Sequence, residues 1–347
     1  MGIRERQPSP SSNAAQRVMD PAAHVKLAYV EPTDLPRWLA TSRTYPLAVI
    51  SFGSPFPIPL PCPVIHLDLP QMEIPLQCEV WSTVQPVRRY RAGTFAAAVS
   101  GDVLLGSISM DEGPESLLDH TTEIAYRDML RHVRELGFPC LWRIWNYFPR
   151  INEEQHGLER YRRFCVGRHQ ALAETLSDFP SSLPAGTAVG TRNGPLQIYF
   201  LAGVHPVAHI GNPRQVDAYK YPNNYGPRSP SFARATLCRS EAATQFFIAG
   251  TASVVGHESQ HRGVPESQAR ETLTNLYTLI DHADCFEDET RPQSLFKIYV
   301  RNPEHLNAVR RTLQDSPLVR SSRLLYLQGE LCRKELLVEI EGLITTE

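Results

Sequence analysis

Two halves of this 347-residue chain spell the same order of elements, and a duplication of that size limits the fold more than any other feature of the sequence. In the first half, from Tyr90 on, come the strand candidate TFAAAVSGDVLLGSISM, a helix from about Thr121 to Leu136 and the strand LWRIWNYF. The helix spacing predicts a buried face of Ile124, Ala125, Met129, Leu130 and Val133. A second helical stretch, Gly157 to Leu176, is broken by Ser-Asp-Phe-Pro, and strands around TAVGT and LQIYFLAG close the half. In the second half TQFFIAGTASV sets Gly250 where GDVLLGSIS has Gly106, and SQARETLTNLYTLI (Ser267 to Ile280) stands where EIAYRDMLRHV stood. LFKIYVRNPEHLN then answers LWRIWNYFPRIN, with Ile298 opposite Ile144, Arg301 opposite Tyr147 and Pro303 opposite Pro149. The repeat predicts an α+β fold of two tandem domains, each with strands on one side and helices on the other. Their expected boundaries are a mobile tail over 1–23, a first domain over 24–211 and a second over 212–347. The proline-rich text inside 24–91 (FGSPFPIPLPCPVIHLDLPQ) suits edge strands and extended connections and is expected to wrap the first domain.

The chain ends on RLLYLQGELCRKELLVEIE, Arg323 to Glu341. Its last seven residues alternate as a strand, with Leu337, Glu339 and Glu341 on one face and Leu336, Val338 and Ile340 on the other. In a half-buried strand a glutamate face simply meets water. Arginine, a strand, Leu and Cys, then a strand carrying V-E-I-E also resembles the closing hairpin of the RidA (YjgF) fold, where an arginine holds a substrate carboxylate near a glutamate. RidA proteins assemble as trimers with sites between subunits. That resemblance implies a pseudo-trimeric arrangement within one chain, and a monomer.

Composition excludes several classes. Apolar residues at 42% and charged residues at 21% are ordinary for a globular protein. The net charge of −2 argues against a broad nucleic-acid surface, while local arginines remain free to hold a small anion. No apolar run reaches the roughly 18 residues of a membrane span, and the polar N-terminus lacks a hydrophobic signal core, so a cytoplasmic protein with no membrane partner is expected. Seven scattered cysteines without a C-x-x-C pair point to free thiols. His257 and His261 are four apart, but Gly256 and Gly263 favour a loop there, and no metal is expected. Phosphate-loop, dinucleotide and nucleophile-elbow patterns are absent.

Between the two halves lies the least repetitive stretch, Asn212 to Leu237, with Tyr219, Tyr221, Tyr225 and Arg214, Arg228, Arg234. A long aromatic connection of this kind is expected to be ordered and functional. AYKYPNNYGPRSPSFARATL followed by FFIAGTASVVGHESQH, with WNYFPRIN and GLERYRRFCVGRHQAL upstream, resembles the chorismatase family, whose members are similar to RidA proteins in fold. The resemblance implies a cofactor-independent enzyme that cleaves chorismate, a small dianion with an enolpyruvyl ether, to pyruvate and a hydroxybenzoate. Such a site needs carboxylate clamps and an acid. Arginine suits a carboxylate, and the candidates are Arg160, Arg163, Arg301 and Arg323. Tyr147, Tyr161, Tyr219 and Tyr221 are candidates to wall the ring, although a tyrosine more often packs in a core.

Glu339 is the candidate acid, a role that the resemblance also implies, and Glu341 is the alternative two residues on. Cys332 is a candidate to assist epoxide opening toward 3-hydroxybenzoate, against the plain reading of a packed thiol, and Ala252 is a candidate to shape the pocket. A dihydroxycyclohexadiene carboxylate as product, a RidA-like imine deaminase and a non-catalytic binder of the metabolite remain open as alternatives.

Overall fold

The computed structural model describes residues 25–346 apart from 54, 56–59, 61, 114–115 and 287–291; the tail expected over 1–23 lies outside the described residues. Strands β1 (Lys26–Val30), β2 (Tyr45–Phe52), β3 (Val64–Leu67) and β4 (Cys78–Thr83), with helix α1 (Leu35–Thr41), form a four-stranded sheet in the order β1-β4-β2-β3. The segment expected to wrap its neighbour is therefore a sheet in its own right. Among the described prolines of the segment Pro46 alone lies in a strand, which leaves the other strands free to pair.

The first copy runs β5 (Arg88–Ala92), β6 (Phe95–Ser100), β7 (Val103–Met110), α2 (Leu118–Glu135), β8 (Cys140–Pro149), a small hairpin of β9 (Glu154–Gln155) and β10 (Leu158–Glu159), α3 (Arg160–Thr175), β11 (Ala185–Thr191) and β12 (Leu196–Gly203). The second runs β13 (Ala208–Ile210), β14 (Ala235–Arg239), β15 (Thr244–Ala252), a small hairpin of β16 (Val254–Val255) and β17 (Glu258–Ser259), α4 (Pro265–Ala283), β18 (Gln293–Val300), α5 (Leu306–Gln314), α6 (Pro317–Arg320), β19 (Arg323–Gln328) and β20 (Val338–Thr346). Their six-stranded sheets have the orders β5-β6-β7-β12-β8-β11 and β13-β14-β15-β20-β18-β19, the same path traced twice. In both, the pair nearest the far edge is parallel (β8 with β11, β18 with β19) and the crossover between them is helical. The fold is α+β with two tandem units of one topology, as the repeat predicts.

Three local expectations change. TFAAAVSGDVLLGSISM is two antiparallel strands, β6 and β7, because Gly101 takes a φ of +51° and turns the chain between them. Ile124 is 43% exposed, and the buried stripe of α2 runs instead through Thr121, Thr122, Ala125, Tyr126, Met129, Leu130 and Val133. The closing pair β19 and β20 is not a hairpin: β18 lies between them, parallel to β19 and antiparallel to β20.

Each sheet turns one face to its own helices and the other to a common centre. Phe148, Ile198 and Phe200 pack under α2 and α3, and Phe296, Ile298 and Ile340 under α4 and α5. Gly167 lets α2 and α3 approach closely, since a Cβ there would lie 2.0 Å from the Asp119 carbonyl oxygen. The opposite faces meet in one core that takes Phe52, Leu67 and Trp81 from the N-terminal sheet, Trp145, Tyr147 and Tyr199 from the first copy, and Phe247, Leu295 and Tyr299 from the second. Three sheets around one centre make the arrangement pseudo-trimeric. Burial on both faces explains why LWRIWNYF reads as an almost continuous apolar run.

Charge lies inside that centre. Lys297 sits 2.8 Å from Glu79 Oε2 and 2.8 Å from Glu341 Oε1, so one ammonium joins the N-terminal sheet to the second copy. Arg143 of the first copy donates to Glu341 Oε2 at 2.5 Å. Trp145 Nε1 (3.0 Å) and Tyr299 OH (2.9 Å) donate to Glu341 Oε1, and Tyr199 OH donates to Glu79 at 3.1 Å. Removing one member leaves an uncompensated buried charge, which costs about 3–5 kcal/mol. Lys297→Met is accordingly expected to lower unfolding stability by about 3–5 kcal/mol in denaturant titration. Arg310→Ala, which breaks an exposed pair with Glu73, should change it by less than about 1 kcal/mol. Equal stability of the two variants would mean that the buried cluster does not hold the sheets together.

Candidate active site

A cavity opens between the two copies. Glu159, Tyr161 and Arg162 line it from the start of α3; Gln215, Tyr221, Tyr225, Phe232 and Arg234 from the stretch joining the copies; Gly250, Ala252 and Val254 from the end of β15 and beyond; and Cys332, Arg333 and Glu339 from β20 and the turn before it. The joining stretch is ordered as expected: short 3₁₀ turns at Ala218–Lys220 and Asn223–Tyr225 bring Tyr221 and Tyr225 to 5.4 Å between ring centres.

Glu339 is the one carboxyl group of β20 that reaches this cavity, and its side chain is only 4% exposed. β15 loses regular pairing with β20 between Ile248 and Thr251, and the carboxyl lies in the space beside Gly250. A Cβ on Gly250 would come within 2.1 Å of Glu339 Oε1, so only glycine leaves that room. Among the described residues no donor hydrogen-bonds the Glu339 carboxyl. Burial, and after it the negative charge of Glu341, push its pKa up to about 8. Glu339 is thus a neutral acid at pH 7. Glu341 shares its face of the strand and is equally buried, but Lys297 and Arg143 outweigh the effect of burial and hold its pKa below the usual carboxylate value.

Guanidinium groups supply the positive side of the cavity. Arg333 stacks over Tyr225 at 4.2 Å and over Tyr221 at 5.3 Å, and donates to His257 O (2.9 Å) and Ser259 Oγ (3.0 Å). Arg234 lies 5.0 Å from the centre of the Phe232 ring and donates to Tyr221 OH (2.7 Å) and Val216 O (3.0 Å), while its Nε is buried without a partner. Arg162 faces Glu159 at 3.3 Å. Arg234 and Arg333 have no carboxylate partner among the described residues. Two such cations beside a neutral acid suit a small dianion.

The cavity brings together five residues singled out from the sequence, Glu339, Cys332, Tyr161, Tyr221 and Ala252. Burial, and next the nearby Glu339, push the Cys332 thiol up to about 12, so it is not a standing thiolate at neutral pH. The others lie elsewhere. Arg160 is held by Glu112 and by Pro149 O (3.2 Å), and Arg163 by Gln155 O and Asp119. Tyr147 bonds Tyr299 in the central core (2.8 Å), and Tyr219 bonds Asp217 (3.1 Å) away from the cavity. Glu341 belongs to the buried ion cluster. Arg323 is exposed at the start of the edge strand β19.

Arg301 donates to Leu336 O (2.8 Å), Leu331 O (3.0 Å), Arg333 O (2.8 Å) and Asn152 Oδ1 (3.0 Å), so it shapes the turn that carries Cys332 and Arg333. Sequence reasoning missed Arg162, Arg333, Gln215 and Phe232, and named Arg234 and Tyr225 only as members of the joining stretch, not as site candidates. Arg162 stands between the two arginines chosen in GLERYRRF, and Arg234 within FARATL. No periodic pattern marks either. All seven cysteines are free, and no cluster of three metal-binding side chains occurs among the described residues.

The family model described as chorismatase FkbO/Hyg5-like, N-terminal, matches residues 79–202. A 3-hydroxybenzoate synthase of Streptomyces hygroscopicus is 39% identical over 67% of this chain and 71% of its own length. A chorismatase of Streptomyces rapamycinicus is 32% identical over 82% of this chain and 86% of its own. A crystal structure of a chorismatase superposes with a TM-score of 0.82 and 31% identity, covering 93% of this chain and 98% of that one. On these similarities the chain belongs to the chorismatase family.

Proposed function

We propose that the protein converts chorismate to pyruvate and a hydroxybenzoate, chiefly 3-hydroxybenzoate, with Glu339 as the proton donor. The observation that carries this reading is a neutral, buried glutamic acid facing a cavity that also holds two guanidinium groups without carboxylate partners. Arg234 and Arg333 bind the two substrate carboxylates, and Tyr221, Tyr225 and Phe232 wall the ring. Gln215 Oε1, buried without a partner, is free to accept the ring hydroxyl. The names of the relatives, 3-hydroxybenzoate synthase and chorismatase, support the same chemistry.

The Glu339 carboxyl gives its proton to the enolpyruvyl methylene carbon, which leaves an oxocarbenium ion. The neighbouring ring hydroxyl then attacks the ether-bearing ring carbon as the carbon–oxygen bond breaks. The bonding pair leaves with pyruvate, and the hydroxyl proton returns to Glu339. The resulting epoxide opens at the former hydroxyl carbon, and loss of that ring's proton restores aromaticity with oxygen on the ether carbon, which gives 3-hydroxybenzoate. Opening at the other carbon gives 4-hydroxybenzoate. The atoms of substrate and products balance without an oxidant. Cys332, a thiol on the cavity wall, steers the opening. Because the N-terminal sheet fills the third place around the core within one chain, a monomer is expected, and seven free thiols fit a cytoplasmic setting.

Three outcomes test this. With chorismate, Glu339→Gln should lose pyruvate release by at least about 10²-fold while keeping the melting temperature of the unsubstituted chain; unchanged release would remove the proposed acid. A group whose pKa is raised to about 8 is protonated below that value, so kcat/KM should be level near neutrality and fall as pH rises through about 8. An activity that instead rises over that range would contradict a proton donor. Cys332→Ala should shift the product ratio with turnover kept. Ultraviolet spectra and chromatography of the ring product check this, and a non-aromatic dihydrodiol from the unsubstituted chain would replace the synthase reading by a hydrolase.

A further inference from the structure

We propose that Thr187, on β11 of the first copy, is a positioning residue for Glu339 of the second, its hydroxyl bridging the Glu341 carboxylate and the Gly250 amide and so fixing the peptide against which the Glu339 carboxyl rests. The inference rests on the reading of Glu339 as the proton donor. A threonine hydroxyl has one proton to donate and two lone pairs to accept with, and all three are engaged here. It donates to Glu341 Oε2, and accepts from Arg143 at 2.5 Å and from the Gly250 amide at 2.9 Å. The Gly250 amide needs such a partner because it falls in the interval, Ile248 to Thr251, where β15 leaves its regular ladder with β20.

Thr187 is itself held in place. Its carbonyl accepts from Asn146 Nδ2 at 2.8 Å, and Asn146 Oδ1 in turn accepts from Tyr126 OH at 2.6 Å. The chain of bonds therefore runs from helix α2 of the first copy to the strand bulge of the second. Because Glu339 Oε1 lies 2.1 Å from where a Cβ of Gly250 would be, any drift of that peptide moves the acid or admits water beside it. Thr187 is not among the residues lining the cavity, so it acts through Gly250 and Glu341 and not on substrate.

The test uses the purified full chain with chorismate. Thr187→Val keeps the shape and removes the hydroxyl. It is expected to lower kcat by on the order of 10²-fold with KM within about twofold of the unsubstituted chain, and Thr187→Ser is expected to restore most of the rate. A valine chain with full kcat, a loss confined to KM, or a folded serine chain as slow as the valine chain would each overturn the proposal. Should the valine chain not fold, the serine chain decides: near-full kcat is expected, and a fall beyond about tenfold counts against the bridge. Amide hydrogen exchange at Gly250, faster in the valine or serine chain only if the bond is lost, gives a readout independent of turnover. Absence of pyruvate from the unsubstituted chain would sink the reading of Glu339, while exchange at Gly250 would still decide the Thr187 bridge.

Discussion

The buried ion cluster around Glu341 is what the rest of the molecule depends on. Its five donors come from Arg143, Trp145, Thr187, Lys297 and Tyr299, three on the first copy and two on the second, and Lys297 carries the connection on to Glu79 of the N-terminal sheet. Apolar packing alone would let three similar sheet faces slide against one another. A charged core with a single satisfactory pairing fixes their register, because any other arrangement leaves an ion unpaired in a medium that does not solvate it.

That cluster also separates the fates of two carboxyl groups only two residues apart. Glu341 is surrounded by donors and stays ionised. Glu339, two residues earlier on β20, lies beside Gly250 at the cavity and keeps its proton. The negative charge of the first reinforces the neutrality of the second, so a structural ion pair and a proton donor are built from one face of one strand. The arginines divide in a similar way. Arg160, Arg163 and Arg301 spend their donors on the protein, while Arg234 and Arg333 are stacked on aromatic rings with donors left over for a ligand.

A duplicated unit usually carries equivalent sites, and here the copies have diverged. At the position of Gly250 the first copy has Gly106, where the missing Cβ makes room for the Phe200 ring instead of a carboxyl group. The absent Cβ thus serves packing beneath the helices in the first copy and leaves room for the acid in the second. The long stretch that joins the copies supplies the aromatic wall of the cavity.

The sequence by itself determined the duplication, the strand–helix–strand order that the copies share and the alternation that puts Glu339 and Glu341 on one face, because these follow from local periodicity. It also singled out Glu339, Cys332, Tyr161, Tyr221 and Ala252, all of which reach the cavity. Only the tertiary structure decided which arginines keep free donors, since pairing with Glu112, Gln155 or the turn at 331–336 joins residues far apart in the chain. It alone made the proline-rich segment a third sheet and turned the expected closing hairpin into two strands flanking β18. Strand pairing and desolvation are long-range quantities, and a linear pattern carries the faces of an element but not what those faces meet.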